Sequence, residues 1–230
     1  MAGRARTFVL AALVVVLVAG GAVWWFLLRD DAPEEAQLDT ATDCAVQGGP
    51  ATPDGAWEVR SGTVEEGFVG YRIEELFGGE TIKKTAVGRT PDVTGTMAVA
   101  GTSISEVTIE ADMTTLASDR TARDTKMTTD GLETDDFPEA SFTMSEDATL
   151  PAPPAKGRAV KTTVSGDLEL HGETKAVDVP VEACWTGATI RVSGSAPIVL
   201  ADYGIDQVET PIVEIDDHGS FEFELTFVPA

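Results

Sequence analysis

Few side chains in this sequence of 230 residues could perform chemistry. The only histidines are His171 and His218, and both fall in or beside predicted turns between strands. The sequence contains no metal-ligand cluster with a recognised spacing, and Asp216, Asp217, His218 and Gly219 are first of all a turn composition. The sequence contains neither a GxSxG nucleophile motif nor a glycine-rich phosphate loop. We therefore predict that the protein is not an enzyme and uses no metal or cofactor.

The cysteines are more informative. Cys44 and Cys184 are the only two, and the topology argued below puts both outside the membrane, where disulfides persist. Cys184 is out of phase with Val181 and Ala183, so its side chain is expected on the outer face of its strand. The flexible segment that carries Cys44 can reach that face. A Cys44–Cys184 disulfide is one outcome, while two free thiols and intermolecular pairing remain open.

The longest regular pattern lies between residues 158 and 185. Apolar, small or threonine residues alternate with polar ones in a period of two, which predicts a strand with one dry face and one wet face. The dry face comprises Val160, Thr162, Val164, Gly166, Leu168 and Leu170. A second alternating run from Val177 to Ala183 follows a break at Gly172 and Glu173, so the pair predicts a β-hairpin. Pro180 has no amide hydrogen, which predicts an edge, a bulge or a gap there.

Similar alternation recurs along the chain and predicts about eight or nine strands without a strand–helix–strand rhythm. The further runs cover residues 69–73, 93–99, 107–113, 142–144 and 190–200, and a closing hairpin is predicted from residues 212–215 and 221–227 around 217–219. One short helix is expected between Ser118, as its cap, and Asp130. Antiparallel pairing, closed as a barrel or folded as a sandwich, follows from this pattern.

The first residues predict a membrane anchor. Residues 7–28 contain no charge, and as a helix they would span about 33 Å, enough to cross a bilayer. Arg4 and Arg6 precede this segment, so residues 1–6 are expected in the cytoplasm and the C-terminal domain outside the cytoplasmic membrane. A cleaved signal peptide is the alternative. Residues 29–56 have the composition of an acidic, disordered linker, and the folded domain is expected over 57–230.

The charge balance limits the partners. With 39 acidic and 16 basic residues the net charge is −23, which repels nucleic acids and anionic membrane surfaces. The membrane is therefore expected as a partner only through the N-terminal helix, and the sequence identifies no protein partner.

Several motifs, in order, resemble the YceI-like polyisoprenoid-binding family. The central one is GDLELHGETKAVDVPV at 166–181; VGYRIEEL (69–76), SDRTARD (118–124), FPEASF (137–142) and DYGI (202–205) resemble other family segments. The resemblance covers roughly residues 57–230. It implies a lipocalin-like, extended antiparallel β-barrel with a short inserted helix, whose apolar interior takes a long isoprenoid or other lipid chain. Asp167 and Glu169 depart from the central motif, but both fall on the outward face.

Two functions follow from these patterns. The first is a membrane-anchored, extracytoplasmic lipid-binding module that carries or stores an isoprenoid or fatty chain. The second is a cell-envelope interaction domain whose barrel is filled by its own side chains. Arg120, Arg123 and Asp124 are expected at the barrel mouth, either in a structural ion pair or at a lipid headgroup. The residues expected to line the interior are Tyr71, Ile73, Val107, Ile109, Phe142, Met144, Val164, Leu168, Val179, Val181, Phe223 and Leu225.

Overall fold

The computed structural model describes residues 32–77, 82–208, 210 and 213–230, together with the isolated residues 17, 20 and 21. Most of the predicted anchor over residues 7–28 lies outside the described residues, and so does Ile212. No helix within the described part of the chain is both long enough and apolar enough to span a bilayer.

The described chain is almost entirely β-structure. One α-helix, α1 (Thr121–Thr129), and two short 3₁₀ helices (Met113–Thr115 and Leu200–Tyr203) interrupt the strands. The strands are β1 (Gly55–Val59), β2 (Phe68–Phe77), β3 (Ile82–Thr90), β4 (Val93–Ala100), β5 (Ser103–Asp112), β6 (Ala117–Ser118), β7 (Glu139–Met144), β8 (Ala148–Thr149), β9 (Ala159–Leu170), β10 (Glu173–Trp185), β11 (Ile190–Val199) and β12 (Val213–Pro229).

Eight antiparallel strands close into a barrel in the order β1–β4–β5–β7–β9–β10–β11–β12, and β12 pairs back to β1. β12 pairs with β1 near its C-terminal end and with β2 over the rest of the same edge. β3 pairs with β2 and β6 with β3, so the sheet extends beyond the ring. Closure leaves the ring without a free edge. The predicted all-β barrel of about eight strands with one short helix is confirmed.

β9 and β10 form the predicted central hairpin, paired in one register from Leu170–Glu173 to Ala159–Cys184. His171 and Gly172 make its turn with φ angles of 53° and 74°, the left-handed conformation that a tight two-residue hairpin needs. Pairing of β10 with β11 extends only over Val181–Trp185. Pro180 therefore stands at the start of a gap between these strands, in keeping with a residue that lacks an amide donor.

The predicted closing hairpin around residues 217–219 is wrong. Residues 213–229 form one continuous strand, β12. Against β2, Ile215 pairs with Glu75 and Gly219 with Ile73, so residues 216–218 bulge opposite a single residue. His218 still pairs with Val199 of β11. The turn-like composition therefore produces a β-bulge inside a long strand, because pairing on both sides keeps the chain extended.

The helix start also differs from the prediction. Ser118 lies in β6, where it pairs with Gly88 of β3, so it is held in the sheet and cannot be the helix cap. Arg120 occupies the N-cap position of α1 without a side-chain capping hydrogen bond. Asp124 in the first turn instead accepts hydrogen bonds from the amide and the hydroxyl of Ser118, at 2.9 and 2.6 Å.

Part of the segment predicted as a disordered linker is packed on the outside of the barrel. Ala36, Leu38 and Cys44 are buried, and Cys44 forms a disulfide with Cys184. Cys184 lies on the outer face of β10 as its phase predicts, but it is 2 % exposed because Leu38 and Cys44 cover it. Composition alone missed this packing because the groups that hold the segment are distant in sequence.

Those groups meet at Glu222, which is fully buried on the outer face of β12. Arg72 and Arg89 hold its carboxylate at 3.0 and 2.7 Å. The same two guanidinium groups donate to the carbonyls of Pro33 and Glu34, at 2.8 and 3.0 Å. One buried carboxylate and two arginines thus fix the start of the packed segment, residues 33–47, to the barrel wall.

Candidate ligand-binding cavity

The barrel encloses an apolar cavity of about 170 Å³. It lies between inward-facing side chains of β4, β5, β7, β9, β10, β11 and β12, because alternate residues of each strand face the same side. A dry cavity of about 150 Å³ is large enough to bind a benzene-sized molecule. The interior can therefore hold a segment of an apolar chain without any polar contact along most of its wall.

Most of the predicted interior residues line this cavity. They are Val107, Ile109, Phe142, Val164, Leu168, Val179, Val181, Phe223 and Leu225. Tyr71 and Ile73 instead line a second cavity of about 40 Å³, between β2, α1 and the end of β11. Met144 lines neither cavity. The ligand-binding role of all of these residues remains a prediction.

Sequence reasoning missed other wall residues that share the same phase. Phe221 and Phe227 continue the inward row of Phe223 and Leu225, and Arg158 and Val160 continue that of Val164. The alternation that selected the predicted residues could have found these as well. Trp185 also lines the cavity and continues the row of Val181 and Ala183, and Ile190 joins it because it pairs with Trp185 across β10 and β11.

Two glycines make room for the aromatic part of the wall. A Cβ atom at Gly166 would lie 2.3 Å from the ring of Phe142, and one at Gly194 would lie 2.7 Å from the ring of Phe223. Each ring therefore lies over the backbone of the neighbouring strand. Glycine at both positions allows two phenylalanines to pack flat against the sheet, and any larger residue would push them into the cavity.

Arg123 sits in an ion-pair cluster beside the second cavity. Its guanidinium binds both carboxylate oxygens of Glu75, at 2.7 and 3.0 Å, and also contacts Asp119. Arg123 and Glu75 are both buried. Burial opposes the positive charge, but the hydrogen bonds and the attraction of Glu75 and Asp119 outweigh it and raise the pKa of Arg123. Arg123 is thus held in a structural pair, Asp124 bonds Ser118, and Arg120 lies at the exposed edge beside Asp119.

The histidines are used in structural contacts. One ring nitrogen of His171 lies 2.9 Å from the carboxylate of Glu133, and the other lies 3.0 Å from the carbonyl of Tyr203. Phe137 packs on its ring with centroids 4.1 Å apart. His218 is exposed in the β12 bulge, where hydrogen bonding to Asp217 raises its pKa. Asp216, Asp217 and His218 are close enough to share a cation, but Asp217 and His218 are exposed in the β12 bulge.

A closed antiparallel barrel with an apolar interior is the architecture that small ligand-holding barrels share. The YceI-like domain family matches residues 64–227, and the chain therefore belongs to that family, as its motifs predicted. No curated protein is significantly similar to it in sequence.

The fold is also similar to solved structures. A polyisoprenoid-binding domain from Saccharophagus degradans, implicated in plant cell wall breakdown, has a TM-score of 0.57 at 17 % identity, over 76 % of this chain and 98 % of that one. BcnA of Burkholderia cenocepacia has a TM-score of 0.49 at 19 % identity, over 68 % and 95 % of the two chains. The Campylobacter jejuni YceI protein has a TM-score of 0.49 at 15 % identity, over 60 % and 82 %.

Proposed function

We propose that this protein is a membrane-anchored binding module whose barrel holds an isoprenoid or other long apolar chain outside the cytoplasmic membrane. The observation that carries the proposal is the internal cavity of about 170 Å³ with an almost wholly apolar wall. Membership of the YceI-like family and the barrel shared with a polyisoprenoid-binding domain support it.

The energetics favour a carrier that selects by shape. Moving a methylene from water into an apolar site is worth about 0.8 kcal/mol. A lipid that leaves a bilayer was already in hydrocarbon, so this gain nearly vanishes, and selectivity must come from the fit of the cavity and from polar contacts at its end. A cavity of about 170 Å³ is smaller than the roughly 300–1,000 Å³ that buries a drug-sized ligand. Only part of a long chain would fit without side-chain movement.

That small volume favours one second candidate, an envelope interaction domain whose barrel takes no ligand. Organic extraction of the full-length protein purified from its own membranes, followed by mass spectrometry, separates the two. The carrier predicts a chain lipid in close to stoichiometric amount. A matched sample with Val164→Trp, which fills the cavity, should lose that lipid while the residual membrane lipids persist. Equal extracts from both proteins would refute the carrier.

A further inference from the structure

Arg158 stands where the apolar cavity meets solvent. It precedes Ala159, the first residue of β9, and continues the inward row of Val160, Thr162 and Val164. Its side chain lines the cavity, yet the residue is exposed. The alternation of β9 thus places the Arg158 side chain on the face that forms the apolar wall, next to Val160 at the end of the row.

This guanidinium has no carboxylate partner among the described residues, although the chain carries 39 acidic residues. Several other arginines of the protein are paired: Arg89 with Glu222, Arg123 with Glu75 and Arg191 with Asp43. For Arg158, the structure gives only a backbone hydrogen bond, from its amide to the carbonyl of Ala155. A strong donor is therefore free at the rim of the cavity.

Trp185 carries a second unpaired donor, buried beside the cavity wall. The amide of Gly157 donates to its carbonyl at 2.8 Å, so β10 places Trp185 beside Arg158. Trp185 lines the cavity and is 3 % exposed, yet its buried indole Nε1 has no partner among the described residues. An indole N–H can only donate. Lys156 adds a positive charge over the Trp185 ring, 5.1 Å from its centroid, while donating to the carbonyl of Gly49 at 3.0 Å.

We propose that the cavity takes an amphiphile with an anionic headgroup, a carboxylate or a phosphate, whose oxygen atoms accept hydrogen bonds from Arg158 and Trp185. This proposal rests on the proposed function and names its ligand class. A guanidinium and an indole N–H can only donate, and such donors match an anionic oxygen better than a hydroxyl or a quinone carbonyl. A buried donor left unpaired is costly, so the headgroup satisfies Trp185 as well.

The strongly negative net charge of the protein does not oppose this assignment. At physiological ionic strength, charges further than about 8 Å apart are largely screened. Arg158 and Lys156, which lie at this end of the cavity, therefore offset the effect of distant acidic residues on a headgroup there. The net negative charge of the protein would slow the association of an anionic lipid from bulk solution. This favours uptake of lipid molecules that are already close to the rim.

Matched ligands with the same chain test the proposal. Radiolabelled farnesyl phosphate and farnesol, and oleate and oleyl alcohol, are dialysed to equilibrium against the full-length chain in amphipol, with empty amphipol subtracted. The wild type should bind the anionic member of at least one pair on the order of tenfold more tightly than the neutral member. The pair that shows this preference identifies phosphate or carboxylate as the headgroup.

Three variants assign the preference to the rim. Arg158→Gln should abolish it by weakening only the anionic ligand, and Trp185→Phe should weaken the same ligand by about threefold. Lys161→Gln is the control, because it removes the same charge from an exposed side chain on the outer face of β9. Equal binding of both members of each pair, unchanged in Arg158→Gln, would overturn the headgroup proposal and leave the carrier intact. If no ligand bound, the proposed function itself would fail.

Discussion

Tyr71, which lines the second cavity, has a buried phenol hydroxyl without a hydrogen-bond partner among the described residues. An unsatisfied buried polar group costs about 1–3 kcal/mol. Tyr71→Phe should therefore raise the free energy of unfolding by roughly that amount, measured by urea denaturation at pH 7. Tyr203→Phe, also buried, is the matched control. A destabilised Tyr71→Phe would show that the hydroxyl has a partner.

Alkaline pH gives the same residue a second signature. Burial raises the pKa of Tyr71 well above its usual value of 10.0, although the charge of Arg123 partly offsets this. Above pH 10 the unfolded chain ionises at this tyrosine while the folded chain does not. The folded state then binds more protons, so stability falls as pH rises. The slope of stability between pH 10 and pH 11.5 should be shallower in Tyr71→Phe than in the wild type, and identical slopes would contradict the shift.

Glu222 is the other residue whose burial has a large consequence. It lies fully buried between Arg72 and Arg89. Removing one partner from a buried ion pair typically costs about 3–5 kcal/mol, because the remaining charges stay desolvated. We expect Glu222→Ala to lose stability in that range and to speed amide hydrogen exchange at residues 33–38. Glu169→Ala is the control, since this glutamate is exposed on the outer face of β9. Unchanged exchange would show that Glu222 does not hold the segment.

At the level of elements, one ion pair ties α1 to the sheet. Arg123 on the helix binds Glu75 on β2 through both carboxylate oxygens. Arg123→Ala should lower the melting temperature with or without added lipid, because it leaves Glu75 buried and unpaired. Arg120→Ala is the control, as this side chain is exposed and its closest carboxylate lies 3.6 Å away. If Arg123→Ala kept its stability but lost lipid binding, Arg123 would instead be a residue that binds a lipid headgroup.

Strands could be predicted from the sequence where alternation of polar and apolar residues runs without interruption. Alternation located β9 and β10 because each has one wet and one dry face, and the period of two fixes which side chains face inward. It failed at Asp216–His218, because a β-bulge and a turn use the same residue types and only pairing with β2 and β11 distinguishes them. It also grouped Tyr71 and Ile73 with the main cavity, although the position of β2 beside α1 puts them in the second one.

For the whole molecule, the packing of residues 33–47 could not be read from composition. The segment has the charge and the prolines of a disordered chain, but Glu222 and Arg72 are 150 residues apart, and folding brings them together under it. The Cys44–Cys184 disulfide then closes the other end of the segment, across 140 positions. The chain-entropy model predicts that a disulfide closing such a long loop stabilises the fold by about 5 kcal/mol. Because Cys44 is buried, the disulfide joins two packed parts of the chain.

This packing shortens the predicted tether to the membrane. If residues 7–28 span the bilayer and Arg4 and Arg6 set the orientation, at most residues 29–32 lie between the membrane and Pro33, whose carbonyl accepts from Arg72. Four extended residues reach about 14 Å, so the barrel should lie close to the bilayer surface. A glutamyl endopeptidase added outside intact cells should then release the barrel only slowly, because Glu34 and Glu35 are held against it.

Releasing the segment should make the same cleavage fast. Glu222→Ala frees the start of the segment and Cys44→Ser frees its end, so each should be shed more quickly than the wild type, and the double variant fastest. Glu169→Ala, which removes an exposed carboxylate from the outer face of β9 and keeps both attachments, should match the wild type. Equal rates for all five proteins would contradict the docking of residues 33–47. Protection of every variant until the membrane is permeabilised would overturn the orientation instead, because the barrel would then lie on the cytoplasmic side.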